Sequence, residues 1–67
     1  MKLSARNALP GKVEGLQKGA VTTTVKIAVG SHHITSSITN EAAEELGLAI
    51  GDSVTAIIKS SDVIIGK

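Results

Sequence analysis

Two short segments near opposite ends of the sequence combine side chains that are suited to holding an anion. Residues 4–7 read SARN and contain Arg6, the only arginine of the chain, two positions after Ser4. Residues 59–62 read KSSD and place Lys59 beside two serine hydroxyls. A cation next to hydroxyls and turn-like backbone N–H groups forms a nest for an oxyanion. Because a fully ionised tetrahedral dianion only accepts hydrogen bonds, a site made of donors suits it.

A third feature that favours an anion is the N-terminus of the helix predicted at residues 40–47. Thr39, which directly precedes this helix, supplies a hydroxyl there. Each of these three features, taken alone, is also explained by a solvated terminus or a hydrogen-bonded turn. The hydroxyls of residues 22–24 and 35–37 are explained more simply as the polar face of strands. Sequence pattern alone does not establish that the clusters converge.

The remaining polar residues do not form a catalytic set. His32 and His33 are adjacent, so in a strand their side chains point to opposite faces and do not easily chelate one metal. Glu41 and Glu45 share a helix face at i, i+4, which is typical of a solvated surface. There is no cysteine nucleophile and no set of nucleophile, base and orienting group. We therefore expect a binding protein rather than an enzyme.

The size and composition predict one small domain, residues 1–67, that depends on association between copies. The chain has 67 residues, 42% of them hydrophobic, with no cysteine and no aromatic residue. A domain of this size rarely gains more than about 3–5 kcal/mol from its own core unless disulfides, metals or association add to it. We therefore expect apolar strand faces to be buried between the subunits of an obligate oligomer.

The charge balance argues against nucleic acid as the partner. The formal net charge is +1, from seven basic and six acidic residues, whereas a nucleic-acid binder normally shows a basic stripe. Single-strand binding also uses aromatic stacking, which this composition cannot supply. The longest apolar runs are too short to span a membrane and no export signal is visible, so we expect a cytoplasmic location.

Hydrophobic alternation predicts an all-β domain with one short helix. The strongest signal is a period of two in β-branched residues, which continues across a Gly30-Ser31 turn as a hairpin. Gly15 lies inside a weaker strand and suggests a bulge or bend. The predicted strands cover residues 11–19, 20–29, 32–39, 53–59 and 63–66. This order is that of a five-stranded Greek-key barrel of OB type, with an SH3-like barrel as the alternative.

The predicted helix at residues 40–47 has signals at both ends. Thr39 or Asn40 can cap its start, and Gly47 suits its end. Ala42, Ala43 and Leu46 are predicted to form a short inward stripe.

Together, these segments resemble the molbindins, the small Mop-type proteins of the TOBE/Mop family that bind molybdate. The resemblance covers essentially all 67 residues. It is most specific in the combination of an SARN-x-L-x-G-x-V start with an A-x-I-K-S-S-x-V end, and LPGKVEGLQKGAVTTTVKI and ITSSIT lie between them.

This resemblance implies a hexamer, a trimer of dimers, that holds molybdate or tungstate at subunit interfaces without an organic cofactor. The serine and arginine of SARN would come from one subunit, and the lysine–serine pair and the hydroxyl before the helix from another. The implied oxyanion-binding residues are Ser4, Ala5, Arg6, Asn7, Thr39, Lys59 and Ser60. A second oxyanion site is expected at Gly19 and Ala20, where backbone N–H groups could serve.

The resemblance implies storage or buffering of the oxyanion inside the cell. Two positions depart from the family pattern: GSHH at residues 30–33 replaces a more Gly/Asn-like turn, and Ala42 stands where related domains can have a hydroxyl. An interaction module that senses the anion through a protein partner remains an alternative. A nucleic-acid-binding OB module is a further one and requires binding that weakens steeply with salt.

Overall fold

The computed structural model describes residues 4–67. Its strands form one antiparallel sheet in the order β3-β2-β1-β4. In chain order the elements are β1 (Asn7–Lys18), β2 (Thr22–Val29), β3 (His32–Thr39), α1 (Asn40–Leu46), β4 (Ser53–Ile58) and a 3-10 turn (Ser60–Asp62). The predicted mostly-β class with one short helix is therefore confirmed. No helix within residues 4–67 is long and apolar enough to cross a membrane.

The long strand β1 bends in its middle and pairs with two neighbouring strands. Its first half pairs with β4, and its second half pairs with β2. The register with β2 shifts between Val13 and Gly15, so the predicted bulge at Gly15 is confirmed and Glu14 is the extra residue. The loop before β4 secures this bend, since the Val13 N–H donates to the Asp52 carbonyl at 2.9 Å and the Gly51 N–H donates to the Val13 carbonyl at 2.8 Å.

The hairpin of β2 and β3 follows the predicted alternation, although β2 begins at Thr22 rather than at residue 20. Thr23, Val25 and Ile27 are buried on one face of β2. The buried apolar residues among those described are few: Val13, Val25, Ile27 and Ala56. A core this small gives a single chain little stability of its own.

The helix α1 begins and ends where its sequence signals predict. Thr39 is its N-cap, with the Thr39 Oγ1 accepting a hydrogen bond from the Ala42 N–H at 3.0 Å. Gly47 ends it in the left-handed region at φ 61°, which favours glycine. The predicted inward stripe is correct for the half-buried Ala42 and Ala43 and wrong for Leu46, whose exposed fraction is 68%. Leu46 lies in the last turn of α1 and borders the open groove between β3 and β4.

The predicted fifth strand at residues 63–66 is not confirmed. After β4 the 3-10 turn redirects the chain, and the last residues form no strand and carry Ile64 and Ile65 at 92% and 85% exposure. A strand needs a neighbour to satisfy its backbone N–H and C=O groups, and within residues 4–67 this segment has none. Over residues 4–67 the single chain therefore forms an open four-stranded sheet with β3 and β4 at its edges.

Candidate functional site

The β1–β4 ladder brings the two cation-bearing segments to one end of the sheet. Its last pair is Asn7 with Ile58, in antiparallel register. Residues 4–6 therefore lead into β1 at the place where residues 59–61 leave β4. Arg6 and Lys59 are both exposed there. The resemblance assigns the arginine and the lysine to different subunits, and the ladder places both residues at the same end of the sheet in each chain.

Asn7 joins the two segments with its side chain. The Asn7 Nδ2 donates a hydrogen bond to the Ile58 carbonyl at 3.1 Å, in addition to the pairing of the two residues in the ladder. Asn7 is half-buried, so its amide is committed to this contact rather than free in solvent. The assignment of Asn7 to the oxyanion site stays a prediction.

The turn after β4 presents hydroxyls next to the lysine. Lys59 has extended backbone angles, φ −65° and ψ 141°, and immediately precedes the 3-10 turn. The Asp62 N–H donates to the Lys59 carbonyl at 2.9 Å, which closes the turn around Ser60 and Ser61. Both serines are exposed, so their hydroxyls are accessible to a ligand at this end of the sheet.

Neither cation of the cluster is neutralised by a carboxylate. Within residues 4–67 the Lys18 Nζ lies 3.5 Å from the Glu44 carboxylate and the His33 Nε2 lies 2.6 Å from the Glu14 carboxylate, and Arg6 and Lys59 take part in neither contact. Two uncommitted cations with hydroxyl and amide donors around them are suited to an anion, because hydrogen bonds between ionised partners are about twice as strong as neutral ones.

Thr39, the remaining predicted donor, lies at the opposite end of β1. It pairs with Thr22, which directly precedes Thr23, the partner of Lys18 at the end of β1. The 12 residues of β1 separate this end from Arg6, and a strand rises about 3.3 Å per residue. Even with its bend, β1 keeps the Thr39 hydroxyl far from Arg6 of the same chain. One anion can contact both only if they belong to different copies.

The predicted second site, Gly19 and Ala20, lies in the exposed turn between β1 and β2. The Gly19 N–H already donates to the Thr22 carbonyl at 2.8 Å, and the Gly19 carbonyl accepts from the Asn40 Nδ2 at 3.1 Å. An anion at this turn would therefore use the Ala20 N–H rather than that of Gly19. The second site stays a prediction.

Several polar contacts of the structure were not predicted from the sequence, among them those of Thr23 and His33. Thr23 is buried and donates to the Asn40 Oδ1 at 2.7 Å. The only signal for it is that a threonine occupies the apolar face of β2. His33 pairs with Glu14, the bulge residue, across the neighbouring strand. His33 and Glu14 do not make a metal centre, since no three His, Asp or Glu side chains within residues 4–67 are grouped to hold an ion.

The sequence matches a known protein family. Residues 3–65 match the TOBE domain along nearly the whole sequence. The chain belongs to the TOBE domain family. This TOBE chain is also 50% identical, over 66 residues, to molybdenum-pterin-binding protein 1 of Clostridium pasteurianum, and the match covers 97% of each chain.

Solved structures share the fold of the TOBE chain. A molybdate-binding protein from Sporomusa ovata superposes with a TM-score of 0.96 at 31% identity, covering 100% of both chains. The cytoplasmic molybdate-binding protein ModG, in a form with molybdate bound, superposes with a TM-score of 0.90 at 48% identity. That match covers 96% of this chain and 46% of ModG.

Proposed function

We propose that this TOBE chain binds molybdate through Arg6, Lys59 and the hydroxyl and amide donors around them. One observation carries the proposal: the β1–β4 register brings two cations without carboxylate partners to the same end of the sheet. The relatives support the choice of anion, because they are described as binding molybdate or molybdenum-pterin. We infer binding rather than catalysis for the same reason.

The chemistry of the cluster suits a tetrahedral dianion. The Arg6 guanidinium can donate two parallel hydrogen bonds to two oxygens, and Lys59 adds a compact charge. Ser4, Ser60 and the backbone N–H groups of the two segments supply further donors in other directions. Tungstate has the same charge and shape, so we expect it to bind as well. Asn7 and Ala5 would contribute to the site indirectly, by holding the backbone of residues 4–7 in place through the ladder and the turn.

We further propose that the site is completed by a second copy of the chain. Thr39 cannot reach the Arg6 end of its own sheet, so its hydroxyl can join the anion only from a neighbouring copy. A hexamer arranged as a trimer of dimers, which the resemblance implies, would supply such neighbours. The oxyanion residues would then be Ser4, Ala5, Arg6, Asn7, Lys59 and Ser60 of one copy with Thr39 of another.

The open sheet offers a place for the second copy to attach. A groove of about 400 Å³ is lined by β3 on one side and β4 on the other, with residues such as Ile34, Ile38 and Ile58. The same chain carries an apolar tail at residues 63–66 that contributes nothing to its own core. We propose that this tail adds to the groove of a neighbouring copy as the fifth strand of the barrel.

The replacement Ile64→Asp is expected to break this assembly into smaller species. Burying an isoleucine side chain contributes about 1.5–3 kcal/mol, and a carboxylate in an apolar groove is strongly unfavourable. Native mass spectrometry and sedimentation velocity would measure the change. The matched control is Thr24→Asp, which places the same carboxylate on the exposed face of an inner strand. If both variants keep the assembly of the wild-type chain, the tail is not part of the interface.

We place the protein in the cytoplasm, where it would store or buffer molybdate. ModG, which is described as cytoplasmic, supports the location. Sensing through a protein partner is the alternative role. A pterin-bound form of molybdenum is the alternative ligand, because one relative is named for it. The absence of aromatic residues disfavours a flat pterin ring, which side chains of that kind would stack against.

Calorimetric titration of the purified chain with molybdate, tungstate, sulfate and phosphate tests the function. We expect molybdate and tungstate to bind with similar affinity and sulfate and phosphate to bind more weakly. The molybdate affinity should fall as salt rises, because the interaction is between charges in an exposed site. A chain that takes up neither molybdate nor tungstate would overturn the proposal.

A further inference from the structure

We propose that Asn40 and Thr23 form a positioning pair that holds the Thr39 hydroxyl in the direction of the bound anion. This inference rests on the proposed function and adds residues that neither the sequence motifs nor the family resemblance assigns to the site. Asn40 directly follows Thr39 and is the first residue of α1. Its side chain ties this point to the buried face of β2 through Thr23.

Thr23 requires a partner because of where it lies. It is the one buried polar residue among those described, with 5% exposure, and it shares the apolar face of β2 with Val25 and Ile27. A hydroxyl in such a place is costly unless it is hydrogen-bonded. Thr23 meets this need by donating to the Asn40 Oδ1 at 2.7 Å.

The side-chain Nδ2 and the backbone N–H of Asn40 both donate hydrogen bonds to the turn between β1 and β2. Its Nδ2 donates to the Gly19 carbonyl at 3.1 Å, and its backbone N–H donates to the Val21 carbonyl at 3.0 Å. These bonds to Thr23, Gly19 and Val21 fix both the orientation of the amide and the position of the chain at Asn40. The backbone at Thr39 is thereby held between the ladder with β2 and the anchored start of α1.

The Thr39 hydroxyl is held in a fixed position and can act as a hydrogen-bond donor. The Thr39 Oγ1 already accepts a hydrogen bond from the Ala42 N–H at 3.0 Å, so its hydrogen is free to donate outward. Thr39 is exposed, and a donor whose direction is fixed before binding loses less conformational freedom on binding. Asn40 and Thr23 act through Thr39 and are positioning residues; they do not touch the anion.

The replacement Thr23→Val tests this role because valine keeps the shape and removes the hydroxyl. We expect it to weaken molybdate binding about five- to tenfold in the folded protein at 25 °C. Thr23→Ser, which keeps the hydroxyl, should restore most of the affinity. Thr24→Val is the matched control, since it makes the same chemical change on the exposed face and should leave the affinity unchanged.

A second measurement separates positioning from plain stability. If Asn40 and Thr23 act through the Thr39 hydroxyl, Thr39→Val should weaken binding by much less in the Thr23→Val background than in the wild-type chain. Independent effects would multiply instead, and that result would overturn the inference. A Thr23→Val protein with a lowered melting temperature but wild-type affinity would also overturn it.

The outcomes distinguish this inference from the proposed function. Wild-type chain that does not bind molybdate would end both. If wild-type chain binds and loses binding with Arg6→Ala, yet Thr23→Val and Asn40→Ala bind normally, the positioning role alone is wrong. Should Asn40→Ala fail to fold, Thr23→Val and its serine rescue still decide the question.

Discussion

The replacement Arg6→Ala is expected to lower the affinity for molybdate by roughly 10- to 100-fold, the largest effect of any single site residue. A hydrogen bond to a charged group contributes about 1.5–3 kcal/mol, and each 1.4 kcal/mol corresponds to a factor of ten. Arg6 is exposed and takes part in neither ion pair within residues 4–67, so the melting temperature should change little. Calorimetry and thermal unfolding on the same sample would measure both quantities.

The control for Arg6→Ala is Lys26→Ala. Lys26 is exposed on β2, away from both cation-bearing segments, and its loss changes the net charge by the same amount. If Lys26→Ala weakens binding as much as Arg6→Ala, the effect is one of overall charge and the assignment of Arg6 to the site is wrong.

The Arg6→Ala variant also tests whether two copies of the chain share one anion site. Arg6→Ala and Thr39→Ala chains, unfolded together and refolded as mixed oligomers, can pair an intact Arg6 from one copy with an intact Thr39 from another. With random pairing, about one quarter of the sites would regain both residues. Recovery of high-affinity binding in the mixture, absent from each variant alone, is the expected result. No recovery would place Arg6 and Thr39 in separate sites.

The parts of the fold that were predictable from the sequence are those determined by neighbouring residues. The alternation along β2 and β3 predicts one inward and one exposed face for each strand, and the inward face is buried in β2 and half-buried in β3. The caps of α1 at Thr39 and Gly47 depend on local backbone geometry alone. Gly15 marks the bulge because glycine weakens a regular strand at that point.

The parts that were not predictable depend on contacts between residues distant in sequence. Asn7 and Ile58 are 51 positions apart, and only the β1–β4 pairing shows that the SARN and KSSD segments meet in one chain. The bond between Thr23 and Asn40 likewise joins two elements whose contact no local pattern reports. The tail at residues 63–66 reads as a strand because its residues favour one, but a strand forms only beside a partner.

The replacement Gly11→Ala is expected to have the largest effect on stability. Gly11 lies in β1 where the strand passes close over β2, and a Cβ there would overlap the Ala28 carbonyl oxygen. The same atom would come within 2.9 Å of the Ile27 Cγ2 and 3.0 Å of the Val29 Cγ2. The main obstacle is backbone, so rotation of a side chain cannot relieve it and the sheet itself must shift.

Overpacking of this kind costs about 1–3 kcal/mol and sometimes more, out of the few kcal/mol that a domain of this size possesses. Since 1 kcal/mol moves the melting temperature by about 4–8 °C in a small domain, Gly11→Ala should lower it by roughly 4–24 °C or prevent folding. The matched control is Gly15→Ala on the same strand, where the nearest atom to an added Cβ is the Lys26 Cβ at 3.4 Å, an ordinary contact.

The damage at Gly11 should also reach the anion site, because Gly11 pairs with Val54 in the ladder that holds residues 4–7 beside residues 59–62. Molybdate affinity is therefore expected to fall together with stability in Gly11→Ala, whereas Arg6→Ala should lower affinity alone. Circular dichroism melts and calorimetry on the two variants would separate these patterns. A Gly11→Ala chain that melts and binds like Gly15→Ala would contradict the close approach of β1 to β2 on which the geometry of the site depends.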